Sequence, residues 1–381
     1  MSLSLLRLPA RRSLVAAVGR GLRQARPWSS GPGARSREAD CRGAGAGVGV
    51  GVIAGSLGLS AFSLFSHDAQ KEKGKDAEEG ENQVSEEETI IFLLKKAKFN
   101  IMKGELEEAD GILHEAAQLS HQANNTKAII YTYDMMANVA FMRGELEQAE
   151  KLFKVAMSYL LAGDMKQDDN AIIEMSLKLA SIYAAQNQDQ LALAGYQFCI
   201  LTLEEKLSKE DLPAYALSED EPANTRLLLG MSLDSYARYL LDRNQASAAQ
   251  RMYERALQIS MEVQGETHPQ SVVLMNDLAT ALDAQGFYEA ADARARRALE
   301  LARQTEHPEL HIMLNNLAGI LMHKEEYSQA KKMYTEALKQ AEKIGDSASA
   351  QHIQKGLAEL AKRKKSKTAG SLQNGEESGN K

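Results

Sequence analysis

The chain has 381 residues, of which 44% are apolar and 25% are charged, as is usual for a folded soluble protein. Its net charge of −7 argues against a nucleic-acid-binding protein, and its two cysteines, Cys41 and Cys199, are too few for a disulfide framework. Ala, Leu, Glu, Gln and Lys are abundant after residue 88, and these residues favour helices. We therefore expect an all-α protein.

Residues 1–28 are predicted to be a mitochondrial presequence. From Met1 to Arg37 the chain has eight arginines and no Asp, Glu or Lys. An arginine-rich, acid-free, amphipathic start is typical of mitochondrial targeting, although an unstructured basic tail is the other interpretation. The string RPWSS at 26–30 resembles a processing-peptidase site, which predicts cleavage between Trp28 and Ser29 and leaves residues 29–42 as a basic spacer.

Residues 43–65 are predicted to be a single transmembrane segment. They carry no charge over 23 residues, and about 20 residues are needed to cross a bilayer core. Arginines before the segment and acidic residues after it place everything downstream in the intermembrane space if the segment stops in the inner membrane. A flexible Gly/Ala linker, or a part of the removed targeting region, remains an alternative. Residues 66–88 are predicted to be an acidic linker.

Three small residues recur six times within residues 89–345, at offsets of +12 and then +7. The positions are Ala97, Ala109, Ala116; Ala137, Ala149, Ala156; Ala180, Ala192, Cys199; Ala237, Ala249, Ala256; Ala279, Ala291, Ala298; and Ala318, Ala330, Ala337. The pattern predicts six helix pairs, in which small side chains on both helices let the two axes approach closely. Gly104, Gly144 and Gly286 are predicted to form the turn inside a pair.

This pattern resembles the tetratricopeptide repeat, which implies a right-handed α-solenoid. Successive repeats here are 39 to 57 residues apart, so the helices resemble the longer ones of kinesin light chains, with Pro269 and Pro308 at first helical positions. The longest step predicts an insertion at 207–222. Residues 346–365 are predicted to be a capping helix and residues 366–381 a disordered tail.

No GxxxxGK[ST], HExxH, CxxC or GxSxG string occurs in the sequence. We therefore expect no enzyme, and no cofactor, metal site, nucleic acid or small-molecule substrate. His307 and His311 are interpreted as repeat landmarks in preference to metal ligands, and Cys199 as an inert thiol at a packed seam.

A protein-binding surface is the function that remains for a helical solenoid. The first helices of the pairs are expected to line its concave face, and a polar column lies three residues before and one residue after each first alanine. The asparagines in that column offer donors and acceptors to an extended backbone, although a merely solvated face is the other interpretation. The candidate partner-binding residues are Asn138, Ser181, Arg238, Asn276 and Asn315, together with Tyr215 in the insertion.

Longer strings resemble one mitochondrial branch of the tetratricopeptide repeat family. They include TKAIIYTYDMMANVAFMRGELEQAEKLFKVAMSYL, NAIIEMSLKLASIYAAQNQ, QRMYERALQIS and HPELHIMLNNLA. The resemblance implies an inner-membrane factor that supports respiratory complex III, with the Rieske iron–sulfur subunit or its fragments as client. The residues by themselves indicate only a mitochondrial scaffold.

Two other functions stay open. An outer-membrane import or chaperone receptor would use 43–65 as an uncleaved anchor, and the long arginine-rich segment before it argues against this. A cytosolic peptide-binding adaptor similar to kinesin light chain would lack the presequence.

Overall fold

The structure, a computed structural model, describes the backbone of residues 80–163, 166–210 and 220–377, and side chains within 86–163, 166–208 and 223–364. Every regular element in these ranges is an α-helix, which confirms the all-α fold. The thirteen helices are α1 (Gly80–Lys103), α2 (Leu106–Gln122), α3 (Thr126–Met142), α4 (Leu146–Ala162), α5 (Asn170–Ala185), α6 (Asp189–Glu210), α7 (Asp220–Asp242), α8 (Ala246–Gln264), α9 (Pro269–Asp283), α10 (Tyr288–Gln304), α11 (Leu310–His323), α12 (Tyr327–Ile344) and α13 (Ser347–Glu377).

The helices form two compact units that divide between Leu212 and Pro213. The N-terminal unit contains α1–α6 as three successive pairs. The C-terminal unit contains α7–α12 as three further pairs, followed by α13. In each pair the odd-numbered helix is called here the first helix and the even-numbered one the second helix.

The same turn joins the two helices of all six pairs. One residue of each turn has a positive φ, between 57° and 82°. The residue after it donates its N–H to a carbonyl five positions earlier, as in a Schellman motif, which satisfies a carbonyl at the helix end. The predicted glycines Gly104, Gly144 and Gly286 occupy three of these positions, and Asn187, Asn244 and Glu325 occupy the others.

Polar residues begin several of the helices. Asn125 caps α3 by accepting a hydrogen bond from the N–H of Ala128 at 3.0 Å, and Asp169 caps α5 in a similar way. Pro269 is the first residue of α9, as predicted. Pro308 is not a first helical residue, because a turn closed by the bond from Leu310 N–H to His307 C=O comes before α11.

All eighteen small repeat positions are at most 1% exposed. Gly195 on α6 shows how close the helices are: a Cβ added there would lie 2.7 Å from Cβ of Ala180 on α5. Larger residues such as Phe153 and Tyr253, each 1% exposed, fill the space beside these close approaches. The structure therefore places the repeated alanines at buried positions of the helix pairs.

Three predicted boundaries are corrected by the structure. Residues 80–88 of the predicted linker are helical, since α1 begins at Gly80 and Glu86, Glu87 and Glu88 lie beyond its first turn. Residues 207–210 of the predicted insertion 207–222 belong to helix α6, and residues 220–222 belong to helix α7. The remaining residues, 211–219, lie outside the described residues. Helix α13 continues past 365 to Glu377, into the predicted disordered tail, and residues 366–377 contain no proline that would stop it.

The predictions for residues 1–79 fall outside the described residues. These are the presequence with its cleavage at Trp28 and Ser29, the basic spacer and the segment 43–65, and the same holds for Tyr215. Among the helices that the structure does describe, none combines the length and the apolar character needed to cross a membrane.

Candidate protein-binding surface

A buried ion cluster links two first helices of the N-terminal unit. Nζ of Lys178 on α5 lies 2.7 Å from Oδ1 of Asp134 on α3 and 3.1 Å from Oε1 of Glu174. Asn138 donates from Nδ2 to the other oxygen of Asp134 at 3.1 Å. The three charged side chains are only 8–15% exposed. These four residues are called the N-terminal cluster.

The N-terminal cluster carries more negative than positive charge when its groups are ionised. Burial alone would lower the pKa of Lys178, but the charges of Asp134 and Glu174 outweigh burial and raise it. Burial also raises the pKa of Asp134, against the opposing effect of the lysine. Since two carboxylates share one ammonium group, Lys178 remains charged and one carboxylate is left without a full countercharge.

A longer polar ladder crosses the first helices of the C-terminal unit. Arg238 on α7 contacts Asp234 through two hydrogen bonds of 3.1 and 2.9 Å and lies 3.3 Å from Asp277 on α9. Asp277 also accepts a hydrogen bond from Asn276 at 3.3 Å, and Gln270 donates to Asp234 at 3.4 Å. The arginine therefore binds two carboxylates from different repeats.

The ladder continues from α9 to α11 through amides. Oδ1 of Asn276 accepts from Nδ2 of Asn316 at 3.3 Å, and Oδ1 of Asn316 accepts from Asn315 at 3.3 Å. Together with Asp234, Gln270, Arg238 and Asp277, these three asparagines are called the C-terminal ladder. It connects the three first helices of its unit by side-chain hydrogen bonds.

Asp277 is the most strongly perturbed carboxyl group of the C-terminal ladder. Burial raises its pKa to about 6, although the charge of Arg238 acts in the opposite direction. Burial also acts to lower the pKa of Arg238, but Asp234 and Asp277 more than reverse this and raise it. The ladder, like the N-terminal cluster, thus has two carboxylates around one cation.

The predicted partner-binding residues have internal hydrogen bonds. The amides of Asn138 and Asn276 are buried and bonded within the chain, which differs from the expectation that they stand open to an extended backbone. Ser181 donates to the carbonyl of Leu177 at 3.1 Å. Arg238 and Asn315 are half-buried and belong to the C-terminal ladder.

Sequence reasoning missed four residues that complete these contacts: Glu174, Lys178, Asp277 and Asn316. A signal for three of them does exist in the repeat register. Lys178, Asp277 and Asn316 each lie two residues before the first alanine of a repeat, next to the column that was considered. Each contacts a column residue of the preceding repeat.

The other residues considered from the sequence have structural roles. His307 accepts a hydrogen bond from the N–H of Glu309 at 3.1 Å, and Nε2 of buried His311 lies 3.2 Å from Asp346. Within the described residues no group of three or more His, Cys, Asp or Glu side chains is arranged to hold a metal ion. Cys199 is fully buried, and burial raises the pKa of its thiol, which makes it a poor nucleophile.

The first-helix side chains are suited to binding cations and amide donors. An ionised carboxylate accepts hydrogen bonds at both oxygens, so Asp277 and Glu174 have acceptor capacity beyond the bonds they make within the chain. Both remain partly accessible, with side chains 21% and 15% exposed. A basic or backbone-rich segment of another protein fits this chemistry better than an anion does.

Comparisons with known proteins agree with this architecture. A tetratricopeptide repeat family model matches residues 228–304. Part of a signal-transduction ATPase from Pyrococcus horikoshii, a protein with a tetratricopeptide repeat sensor, has a similar fold, with a TM-score of 0.50 at 13% identity over 69% of this chain and 38% of that chain.

Curated relatives match over much more of the chain. The human Tetratricopeptide repeat protein 19, mitochondrial, is 59% identical over 80% of this chain and 82% of its own length. The protein of the same name from Rattus norvegicus is 53% identical over 94% of this chain and 98% of its own. The chain therefore belongs to the family of the mitochondrial tetratricopeptide repeat protein 19.

Proposed function

We propose that the protein is a non-enzymatic, inner-membrane-tethered scaffold that supports assembly or maintenance of respiratory complex III. The proposed client is the Rieske iron–sulfur subunit or its fragments, as the family resemblance implies. Relatives at 53–59% identity that are named mitochondrial support the organelle. A fold made of stacked helix pairs supports a role in protein binding.

The observation that carries client binding is the excess of carboxylates on the first helices. Burying charges costs free energy that a single ion pair recovers only in part, and a second carboxylate on the same cation adds to that cost. A client lysine, arginine or backbone N–H beside the second carboxylate would offset the cost. In the C-terminal ladder that position belongs to Asp277, where burial raises the pKa of the carboxyl although Arg238 acts in the opposite direction, which supports the proposal.

The candidate partner-binding residues lie in or beside these groups. Asn138 and Ser181 act in the N-terminal unit, and Arg238, Asn276 and Asn315 act in the C-terminal unit. Asn138, Arg238 and Asn276 are proposed to hold carboxylates in place, since their side chains bond to Asp134, Asp234 and Asp277. Ser181 and Asn315 are proposed to lie beside the client, although they bond to the carbonyl of Leu177 and to Asn316 within the chain. Tyr215 is proposed to contact the client from the segment between α6 and α7.

Membrane attachment is proposed to come from the N-terminal region. In this proposal the presequence 1–28 is removed between Trp28 and Ser29, and the uncharged segment 43–65 stops in the inner membrane. The repeats then face the intermembrane space, because positive charge precedes the segment and acidic charge follows it. Protease added to mitochondria with ruptured outer membranes should degrade the repeats. Their survival would favour the matrix.

Client binding is tested by Asp277→Asn in the full-length protein. The change keeps the shape of the side chain and leaves Arg238 paired with Asp234. Capture of the Rieske subunit from detergent-solubilised mitochondria should fall at least about tenfold, since a hydrogen bond to a charged group contributes about 1.5–3 kcal/mol. The melting temperature should not fall.

The matched control is Glu289→Gln. This carboxylate lies on the second helix α10, is 85% exposed, and pairs with Lys324. Its removal should leave capture unchanged. Equal capture by the Asp277→Asn variant and the wild-type protein would contradict a binding role for the C-terminal ladder.

A further inference from the structure

The outward face of α1 exposes an unusual amount of apolar surface. Phe92, Phe99 and Met102 are 64%, 56% and 77% exposed. The opposite face of α1 is buried in the core of the N-terminal unit through Ile90, Leu93, Leu94 and Ala97, each at most 6% exposed. The packing of the unit therefore accounts for one face of α1 and leaves the other apolar face outside.

Exposed lysines flank these apolar residues on the same face. At 100° per residue, Phe92 and Phe99 are two turns apart, and Lys95, Lys96 and Lys103 fall within about 60° of the Phe99 direction. These six residues, three apolar and three basic, are called the α1 outer face. Nζ of Lys103 lies 4.5 Å from the centre of the Phe99 ring and 3.8 Å from Oε1 of Glu105. Exposed Glu88 lies in the same direction one turn before Phe92, so the basic part of this face runs from Lys95 to Lys103.

We propose that the α1 outer face docks on a membrane surface that contains anionic phospholipid. In an amphipathic helix that lies in the interface, phenylalanine and methionine enter the boundary of the acyl chains while lysines contact headgroup phosphates. The α1 outer face supplies both kinds of group over three helical turns. The chain's overall charge is −7, so the attraction comes from this local set of lysines and not from the protein as a whole.

The position of α1 in the chain supports a lipid partner. Only residues 66–79 separate the uncharged segment 43–65 from the start of α1 at Gly80. Fourteen residues reach at most about 50 Å when fully extended, so α1 begins within that distance of the bilayer if 43–65 is anchored there. The inference rests on the proposed membrane location and is independent of the client.

Charge argues against a second copy of the chain as the occupant. In a two-fold symmetric dimer the same patch lies on both sides of the contact. Lys95, Lys96 and Lys103 of one copy would then face the same lysines of the other, which is repulsive. An anionic lipid surface has no such conflict.

The test places a fluorescent reporter on the α1 outer face of the full-length chain. The only tryptophan, Trp28, is replaced by Trp28→Phe, and Phe99→Trp then gives a single indole on the face. The protein is added to vesicles of phosphatidylcholine, with or without an equal amount of phosphatidylglycerol, whose acyl chains carry bromine. Bromine quenches an indole only at close range. The matched control is Leu201→Trp on α6, an apolar position 58% exposed in the same unit.

The indole from Phe99→Trp should be quenched in vesicles with phosphatidylglycerol, and at least twofold more strongly than the indole from Leu201→Trp. Adding Lys95→Gln and Lys96→Gln should weaken docking about 25-fold, about fivefold for each lysine near an anionic surface. Equal quenching of the two reporters, or quenching that is the same with and without phosphatidylglycerol, would overturn the proposal.

Two further outcomes would replace the lipid by a protein partner. A concentration-dependent dimer without quenching, lost on Phe99→Ser, would assign the face to a second copy. Loss of Rieske capture on Phe99→Ser without quenching would assign it to the client. If Asp277→Asn leaves client capture unchanged while the indole at position 99 is still quenched, the proposed client binding fails and the assignment of the α1 outer face stands.

Discussion

Gly195→Ala tests whether the small residues of a pair are needed for the close approach of its helices. The added Cβ would lie 2.7 Å from Cβ of Ala180 and 3.4 Å from its Cα. Carbon atoms in favourable contact are about 3.5–4.0 Å apart, so α5 and α6 must separate by about 1 Å. The methyl group of Ala180 cannot rotate away, because it is attached directly to the backbone.

The expected cost follows from two opposing terms. Overpacking a well-packed core costs about 1–3 kcal/mol. Replacing glycine by alanine inside a helix contributes about 1 kcal/mol in the favourable direction. Gly111→Ala on α2 isolates the second term, since no atom lies within 4 Å of its added Cβ. The two variants should therefore differ by about 1–3 kcal/mol, with Gly111→Ala the more stable.

Urea denaturation followed by circular dichroism measures the difference. Because repeat arrays do not always unfold in one step, hydrogen exchange should be recorded as well. Gly195→Ala should lower the protection of amides in α5 and α6 more than in α1 and α2. Equal stability of the two variants, or a loss of protection spread evenly over the N-terminal unit, would refute the assigned close approach.

The remaining predictions concern a turn and a half-buried carboxyl group in the C-terminal unit. Gly286→Ala should cost about 1–2 kcal/mol, because φ at this position is +82° and the added Cβ has no neighbour within 4 Å, so that only backbone strain contributes. Gly319→Ala, in helix α11 and equally free of neighbours, should instead stabilise by about 1 kcal/mol, and thermal melts with the same sign for both would contradict the turn assignment. Burial raises the pKa of Asp277 from 3.8 to about 6, so the folded state holds this proton more tightly than the unfolded state does. Stability should accordingly fall by about 1–3 kcal/mol as the pH rises from about 4 to about 6 and change no further from this group above that range. Asp277→Asn should remove that part of the slope, and unchanged pH profiles from urea titrations would show that the carboxyl is not perturbed.

Most of the fold is predictable because the repeat is a local pattern. Offsets of +12 and +7 place small residues on facing helices whatever the rest of the chain does, and glycine at Gly104, Gly144 and Gly286 marks the turns. Helix ends are less predictable. Residues 366–377 are polar, as a disordered tail would be, yet they contain no proline to stop α13, so composition does not decide between the two.

The candidate surface was predictable only in part. The column of polar residues on the first helices was visible from repeat register. Three column residues, Asp134, Arg238 and Asn276, have partners in the next repeat, 39 to 44 residues away. Such pairs depend on how consecutive repeats stack, which periodicity within one repeat does not reveal.

The contacts between successive first helices need not be charged. At the register where Asp134 meets Lys178, the first two repeats have Leu94 and Met135, which belong to one buried apolar cluster. Hydrophobic residues of similar size stabilise at least as well as a buried ion pair. Stacking of the repeats alone therefore does not require charge here.

Stacking of the repeats requires an excess of carboxylates over cations even less. One carboxylate for each cation would be enough to fix the register of two helices. Glu174 and Asp277 are each a second carboxylate beside one cation in a largely buried site. The charge of Glu174 acts to raise the pKa of Asp134, and burial raises the pKa of Asp277. In both cases the ionised carboxylate destabilises the folded protein. A binding partner that brings a positive charge or an N–H group removes this cost only when it is bound. Glu174 and Asp277, the second carboxylates of the N-terminal cluster and the C-terminal ladder, both lie on first helices, and they support the proposed recognition of a client because folding alone does not account for them.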